Sequence, residues 1–146
     1  MSSIRPQPEG GPMQLEFREA RLTDYGAIAN ERAAAALSSG WLKMAVCVHD
    51  SCIVGHCAGD LKTGEIVGLS VQPAYRRHGI ATRLLSLVVG WLRAAGATRI
   101  WLDAPADPAL PAHAFYHTLG WRPTGDRSGT GSFSTEILEL PNDNAN

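Results

Sequence analysis

The residues best equipped for chemistry lie between Leu69 and Thr82. An apolar strand run ends near Val71, the basic turn Arg76-Arg77-His78 follows, and Gly79 opens a strongly amphipathic helix. A helix start leaves backbone N–H groups without intrahelical acceptors and carries partial positive charge. Gly79 and Ala81 are small, so an anion can approach that backbone, and three basic side chains stand beside it. This combination points to a phosphate or pyrophosphate site. A plain helix start with a turn glycine and solvated arginines fits the same residues. Two other phosphate readings fail. The chain has neither a Gly-x-x-x-x-Gly-Lys-Ser/Thr loop nor a Gly-x-Gly-x-x-Gly fingerprint after a strand.

Other residues have reactive side chains with weaker patterns. If Asp50-Ser51 is a two-residue turn, Met44, Val46, Val48, Ile53, Gly55 and Cys57 share one face of a hairpin and form core. Cys47, His49, Cys52 and His56 then share the other face. Those four are zinc-ligand types, but strands spread them over a flat surface and cysteine is commonly a buried small hydrophobe. Packing is the expected role, and no metal is expected. Glu65 follows the turn Lys62-Thr63-Gly64, where an exposed hairpin carboxylate is the plain reading. Tyr116 lies on a helix face with Ala112, Phe115 and Leu119, flanked by His113 and His117, which read as surface residues.

The elements that must hold these groups follow from periodicity. Met13, Leu15 and Phe17 alternate as in a strand. Thr23 and Asp24 start an Ala-rich helix running to Leu37. Strands are expected at Leu42–His49, Cys52–Ala58 and Glu65 to about Val71. Ile80, Leu84, Leu87, Val88, Trp91 and Leu92 follow the helix template from Gly79 to Ala95. Thr98–Leu102 reads as a strand, Pro111 to Leu119 as a helix, and Trp121–Thr124 and Phe133–Leu140 as strands. Trp41, Trp91 and Trp101 are most simply core. The order is β-α-β-β-β-α-β-α-β-β, an α/β domain with a mixed sheet.

Composition sets the outer limits. The 146 residues fit one domain at 45% hydrophobic and 18% charged. A domain over 13–140 is expected, with a flexible leader at 1–12 and a tail at 141–146. A net charge of −1 supports neither a nucleic-acid nor a membrane partner. No apolar run is long enough to span a bilayer, and no signal-peptide pattern opens the chain. With three Cys, a reducing cytoplasm is the expected location.

The stretch Leu69-Ser70-Val71-Gln72-Pro73-Ala74-Tyr75-Arg76-Arg77-His78-Gly79-Ile80-Ala81 resembles the acetyl-CoA signature of the GNAT N-acetyltransferases. That signature is Val-x-Pro-x-Tyr, then Arg/Gln-x-x-Gly-x-Gly/Ala, then a helix. Phe115-Tyr116-His117-Thr118-Leu119-Gly120-Trp121 resembles the family's second signature, with Trp in place of Phe. The resemblance covers about residues 13–140 and implies a GNAT-like fold. This is a mixed, mostly antiparallel central sheet flanked by helices, with splayed strands at the cofactor site. It implies that Arg76, Arg77, His78, Gly79, Ile80, Ala81 and Thr82 hold the CoA pyrophosphate, mainly through backbone N–H groups. It implies that Leu69, Ser70 and Val71 pair with the pantetheine arm on a bulged strand. Tyr116 would serve the leaving thiolate, and Glu65 would take the amine proton. Ala109 stands where many members have an Asn, with Asp103 or Asp107 as substitutes. The implied activity is direct acetyl transfer from acetyl-CoA to a primary amine of a small molecule or protein, without a metal. The rival is a non-catalytic CoA-binding regulatory module. A homodimer is left open.

Overall fold

Asp50 and Ser51 both take left-handed backbone angles, φ 51° and 66°, which match a tight turn to the twist of its strands. They join β2 (Leu42–His49) to β3 (Cys52–Asp60). Our computed structural model describes residues 13–21, 23–24, 37–130 and 134–141. The expected leader, most of the expected first helix and most of the tail lie outside the described residues.

The β2–β3 pairing corrects the expected register. His49 faces Cys52 and Val48 faces Ile53, but Cys47 then faces Gly55 and Met44 faces Ala58. Val54 is the extra residue of a bulge. A one-residue slip moves every later side chain to the opposite face. Gly55 and Cys57 therefore join Ala45 and Cys47, not Met44 and Val46. Both faces are buried. Ala45, Cys47, Val54 and Cys57 pack beneath the long helix, and Met44, Val46 and Ala58 pack with Ala20 and Leu37.

β1 (Glu16–Glu19) and β4 (Ile66–Val71) flank this hairpin, giving the order β1-β2-β3-β4, antiparallel throughout. β5 (Trp101–Pro105), β6 (Arg122–Ser128) and β7 (Thr135–Glu139) form a second antiparallel sheet in the order β5-β7-β6. β5 begins later than expected. The face alternating inward is Leu102, Ala104 and Ala106, while Thr98 and Arg99 belong to the connection after Gly96. One isolated parallel bridge, Glu65 with Trp101, joins the sheets among the described residues. It is reinforced by Trp101 N–H donating to the Gly64 carbonyl and Trp101 Nε1–H to the Thr63 carbonyl, both at 3.1 Å. Beyond that point β4 and β5 belong to separate sheets.

Helix α1 (Ile80–Ala94) buries Ile80, Leu84, Leu85, Val88, Val89 and Leu92. Each contributes about 1.5–3 kcal/mol relative to exposure. The buried stripe takes in Leu85 and Val89, while Leu87 and Trp91 sit at its margin. Two glycines of β3 let α1 approach closely. A Cβ on Gly59 would stand 2.6 Å from Val88 Cγ1, and one on Gly55 would stand 3.1 Å from Leu84 Cδ1. Helix α2 (Pro111–Thr118) starts, as expected, at a proline. The expected tryptophan core holds in part: Trp91 packs against the main core, whereas Trp41 and Trp101 do not belong to it. Trp41, Trp91 and Trp101 are half-buried and lie under Lys62, Lys43 and Arg99 respectively. Trp121 is the buried indole.

Candidate active site

The end of β4 and the start of α1 form two walls of a cleft of about 700 Å³, and α2 forms the third. The strand wall is Leu69, Ser70 and Val71. The helix wall is Arg76, Arg77, Gly79, Ile80, Ala81 and Thr82, together with Tyr75. The third wall is Pro111, Ala112, Phe115 and Tyr116.

β4 enters the cleft with an irregular ladder. Its pairing with β3 shifts between Ala58 and Gly59, leaving Val67 as a bulged, exposed residue. β4 is an edge of its sheet, and the Glu65–Trp101 bridge stops short of Leu69–Val71. On the side away from β3, this stretch therefore offers main-chain donors and acceptors to the cleft. Gln72 N–H then bonds the Val54 carbonyl, and the Pro73–Tyr75 turn leads to Arg76.

The helix entry is strained toward an open backbone. Arg77 and Gly79 both have positive φ, 69° and 77°. Among the described residues no side chain caps α1, and its first turn holds no acidic residue. A Cβ at Gly79 would meet nothing within 4 Å among the described residues. The conformation asks for glycine there, and the space beside it is free for a ligand. Arg76 Nε donates to the Val71 carbonyl at 3.3 Å, which folds its guanidinium back over the strand end. His49 and Tyr75 fix the rim through a 2.8 Å contact between Nδ1 and the hydroxyl.

Across the cleft, Tyr116 packs edge-on against Phe115 and Trp121. Burial, with a smaller effect from Cys57, pushes its hydroxyl up to about 12. At neutral pH it is a proton donor, and among the described residues its hydroxyl has no hydrogen-bond partner. Glu65 lies at the bridge that joins the sheets, not in the cleft lining. Burial, then the nearby Asp60 and Asp103 charges, raise its carboxyl above the ordinary glutamate range.

Of the ten residues expected to hold cofactor, nine line the cleft, and exposed His78 does not. Tyr75, Pro111, Ala112 and Phe115 were not among the expected site residues. The periodic face of α2 was the signal for Ala112 and Phe115, whereas Tyr75 stood in the Val-x-Pro-x-Tyr lead-in of the signature without a site role being read from it. At the position of the missing Asn, the Asp107 carboxylate accepts from Ala109 N–H at 2.9 Å, so it is occupied within its own turn. The Cys47, His49, Cys52 and His56 set is split by the hairpin bulge. Cys47 faces α1, while His56 pairs with Val46 of the other face. Burial raises the Cys47 and Cys57 thiols, the latter to about 12, so they are inert at neutral pH.

Comparison with known proteins gives a consistent picture. The model of the acetyltransferase (GNAT) family matches residues 13–121. Two curated relatives are aminoglycoside N(6')-acetyltransferases type 1. The one from Acinetobacter genomosp. 13 is 39% identical over 57 residues, covering 39% of this chain and 38% of the relative. The one from Acinetobacter haemolyticus is 34% identical over 61 residues, covering 42% and 41%. The match thus spans only about two fifths of the relatives' length. Among solved structures, PaiA N-acetyltransferase from Thermoplasma acidophilum in complex with coenzyme A superposes with a TM-score of 0.68 at 16% identity. It covers 89% of this chain and 100% of that one. YncA from Salmonella typhimurium with acetyl-CoA gives 0.70 at 15% identity, covering 87% and 93%.

Proposed function

The chain belongs to the GNAT acetyltransferase family, and from that premise we propose that it transfers an acetyl group from acetyl-CoA directly to a primary amine. The observation that carries this reading is a conjunction in one cleft. An open β-edge, an uncapped helix start and an unpartnered, protonated tyrosine hydroxyl all border the same space. These fit the parts of the ligand. An extended amide-bearing arm suits an open strand edge, and a pyrophosphate suits a helix N-terminus beside Arg76 and Arg77.

Acetyl-CoA supplies an activated acetyl thioester, and the protein's residues do the rest. Backbone N–H groups of Leu69–Val71 orient the arm and polarise the acetyl carbonyl. The amine attacks only when neutral, so Glu65, with its raised carboxyl, takes the amine proton through water. As the new C–N bond forms and the C–S bond breaks, Tyr116 gives its proton to the sulfur and recovers one from solvent. The acceptor class is a small molecule or a protein N-terminus or lysine. The test is an amine panel that includes aminoglycosides, with thiol release from acetyl-CoA as the readout. Binding of acetyl-CoA without release on any amine overturns the enzymatic reading in favour of a CoA-binding module.

Two variants separate binding from chemistry. Gly79→Asp puts a carboxylate where phosphate oxygens would sit, in a conformation that Asp tolerates better than most residues. Acetyl-CoA affinity is expected to fall more than about tenfold while the fold persists; unchanged affinity by calorimetry removes the pyrophosphate site. Glu65→Gln is expected to lower kcat and shift the acidic limb of the pH–rate profile, with acetyl-CoA affinity intact. It carries a stability signature as well. A carboxyl raised in the fold destabilises the native state once pH exceeds the unfolded value near 4.3, and most fully above the folded value. Glu65→Gln therefore melts higher than the wild type at neutral pH, with the gap closing at acidic pH. An unaltered profile and an unaltered melt assign the proton to another group.

A further inference from the structure

We propose that His113, His117 and Glu136 form a zinc site that ties α2 to the last hairpin. The inference does not depend on acetyl transfer. His113 and His117 are four residues apart on α2, on the same face, with their rings stacked at 4.1 Å between centroids. Glu136 reaches them from β7, nineteen residues beyond His117, and its side chain is only 4% exposed. Its Oε2 lies 3.5 Å from His113 Nε2 and 3.4 Å from His117 Nε2, and the three ligand atoms all fall within 4.8 Å of one another.

These separations are long for hydrogen bonds, which cluster at about 2.7–3.2 Å. They match another geometry. Tetrahedral zinc with bonds of about 2.0–2.1 Å sets its ligands about 3.3–3.4 Å apart. Two of the three edges of that arrangement are therefore already in place. The chemistry agrees. A buried carboxylate needs a cation. Among the described residues, the fixed cation beside it is the Arg127 guanidinium, which is itself mostly exposed and stands 3.8 Å from the other oxygen, Oε1. That leaves Oε2 to bind a metal through one oxygen, and two stacked imidazoles aim at the same point. Two His and one carboxylate are a zinc donor set that leaves a fourth position for water. The rings are 22% and 31% exposed, so metal and water can reach it. The reading of His113 and His117 as surface residues lacked Glu136, which only the β5–β7 pairing brings beneath them. Their neighbours Ala112 and Tyr116 line the cleft, so the metal would stiffen the helix that carries Tyr116.

The test uses the full chain, stripped with a chelator and dialysed against zinc. Elemental analysis is expected to give one zinc per chain, and the melting temperature is expected to rise with zinc. Glu136→Gln is expected to weaken zinc binding by at least about a hundredfold in competition with a chromophoric chelator, and the His113→Ala/His117→Ala double variant to abolish it. Cobalt in place of zinc is expected to give tetrahedral visible absorption without a thiolate charge-transfer band. No uptake by the wild type, equal uptake by the double variant, or a thiolate band would each overturn the site. The cobalt spectrum decides on the wild-type chain even where a variant fails to fold.

Discussion

Tyr116→Phe lowers kcat on the order of a hundredfold and leaves the melting temperature nearly unchanged. The ring keeps its edge contacts with Phe115 and Trp121, so packing survives. What is lost is one donor to a developing thiolate, an interaction that contributes about 2–4 kcal/mol when well placed. A hundredfold corresponds to the lower end of that range. The loss is expected to fall on kcat, with KM for acetyl-CoA little changed, because in the proposed reaction the hydroxyl acts as the C–S bond breaks. Since the phenol titrates near 12, it stays protonated through the neutral range and contributes no basic limb there. Single-turnover measurement isolates the chemical step from product release. A purely packing tyrosine would give the reverse result, a shifted melt with near-normal turnover.

Among the described glycines with a close contact, Gly64→Ala is expected to be the most damaging. Gly64 has φ +82°, and a Cβ there would stand 1.8 Å from the Arg99 carbonyl oxygen. A backbone oxygen cannot swing away as a side-chain end can. The connection into β5 must move, and the Trp101 bonds to Gly64 and Thr63 go with it. Left-handed strain adds about 1–2 kcal/mol, and the forced displacement about 1–3 kcal/mol more. Against a typical total of about 5–15 kcal/mol, this is a large loss. At roughly 3 °C per kcal/mol, the melting temperature should drop by about 10 °C. Gly96→Ala is the control. Its φ is +90°, but its Cβ would meet nothing within 4 Å, so only the strain appears. Equal losses in the two variants would show that the close approach at Gly64 is relieved without cost.

The long-period features were legible from the residues alone. The stripe from Ile80 to Leu92 and the glycine before it gave α1 and its open end, because helix periodicity averages over many positions. The β2–β3 faces were not legible. Both are mostly apolar, and His49 and His56 fall on one face in an unbulged hairpin but on opposite faces once Val54 is inserted, so neither marks the slip, and one inserted residue reverses the inward set. The Glu136 pairing was equally hidden. It depends on β7 returning beside β5, a non-local contact that no spacing along the chain records. Trp41 and Trp101 misled for a different reason. An indole has area enough to serve as a lid for a cation while leaving part of itself in water.

The open edge of β4 also bears on how such a site tolerates change. If the ligand's arm is read by main-chain N–H and C=O groups, alanine scanning along Leu69, Ser70 and Val71 would be almost silent in ligand affinity, and the core contacts of Leu69 and Val71 would register only in stability. A proline scan would not be silent, since it deletes the donors themselves. Recognition written in the peptide unit rather than the side chain lets residue identity drift while the architecture stays put.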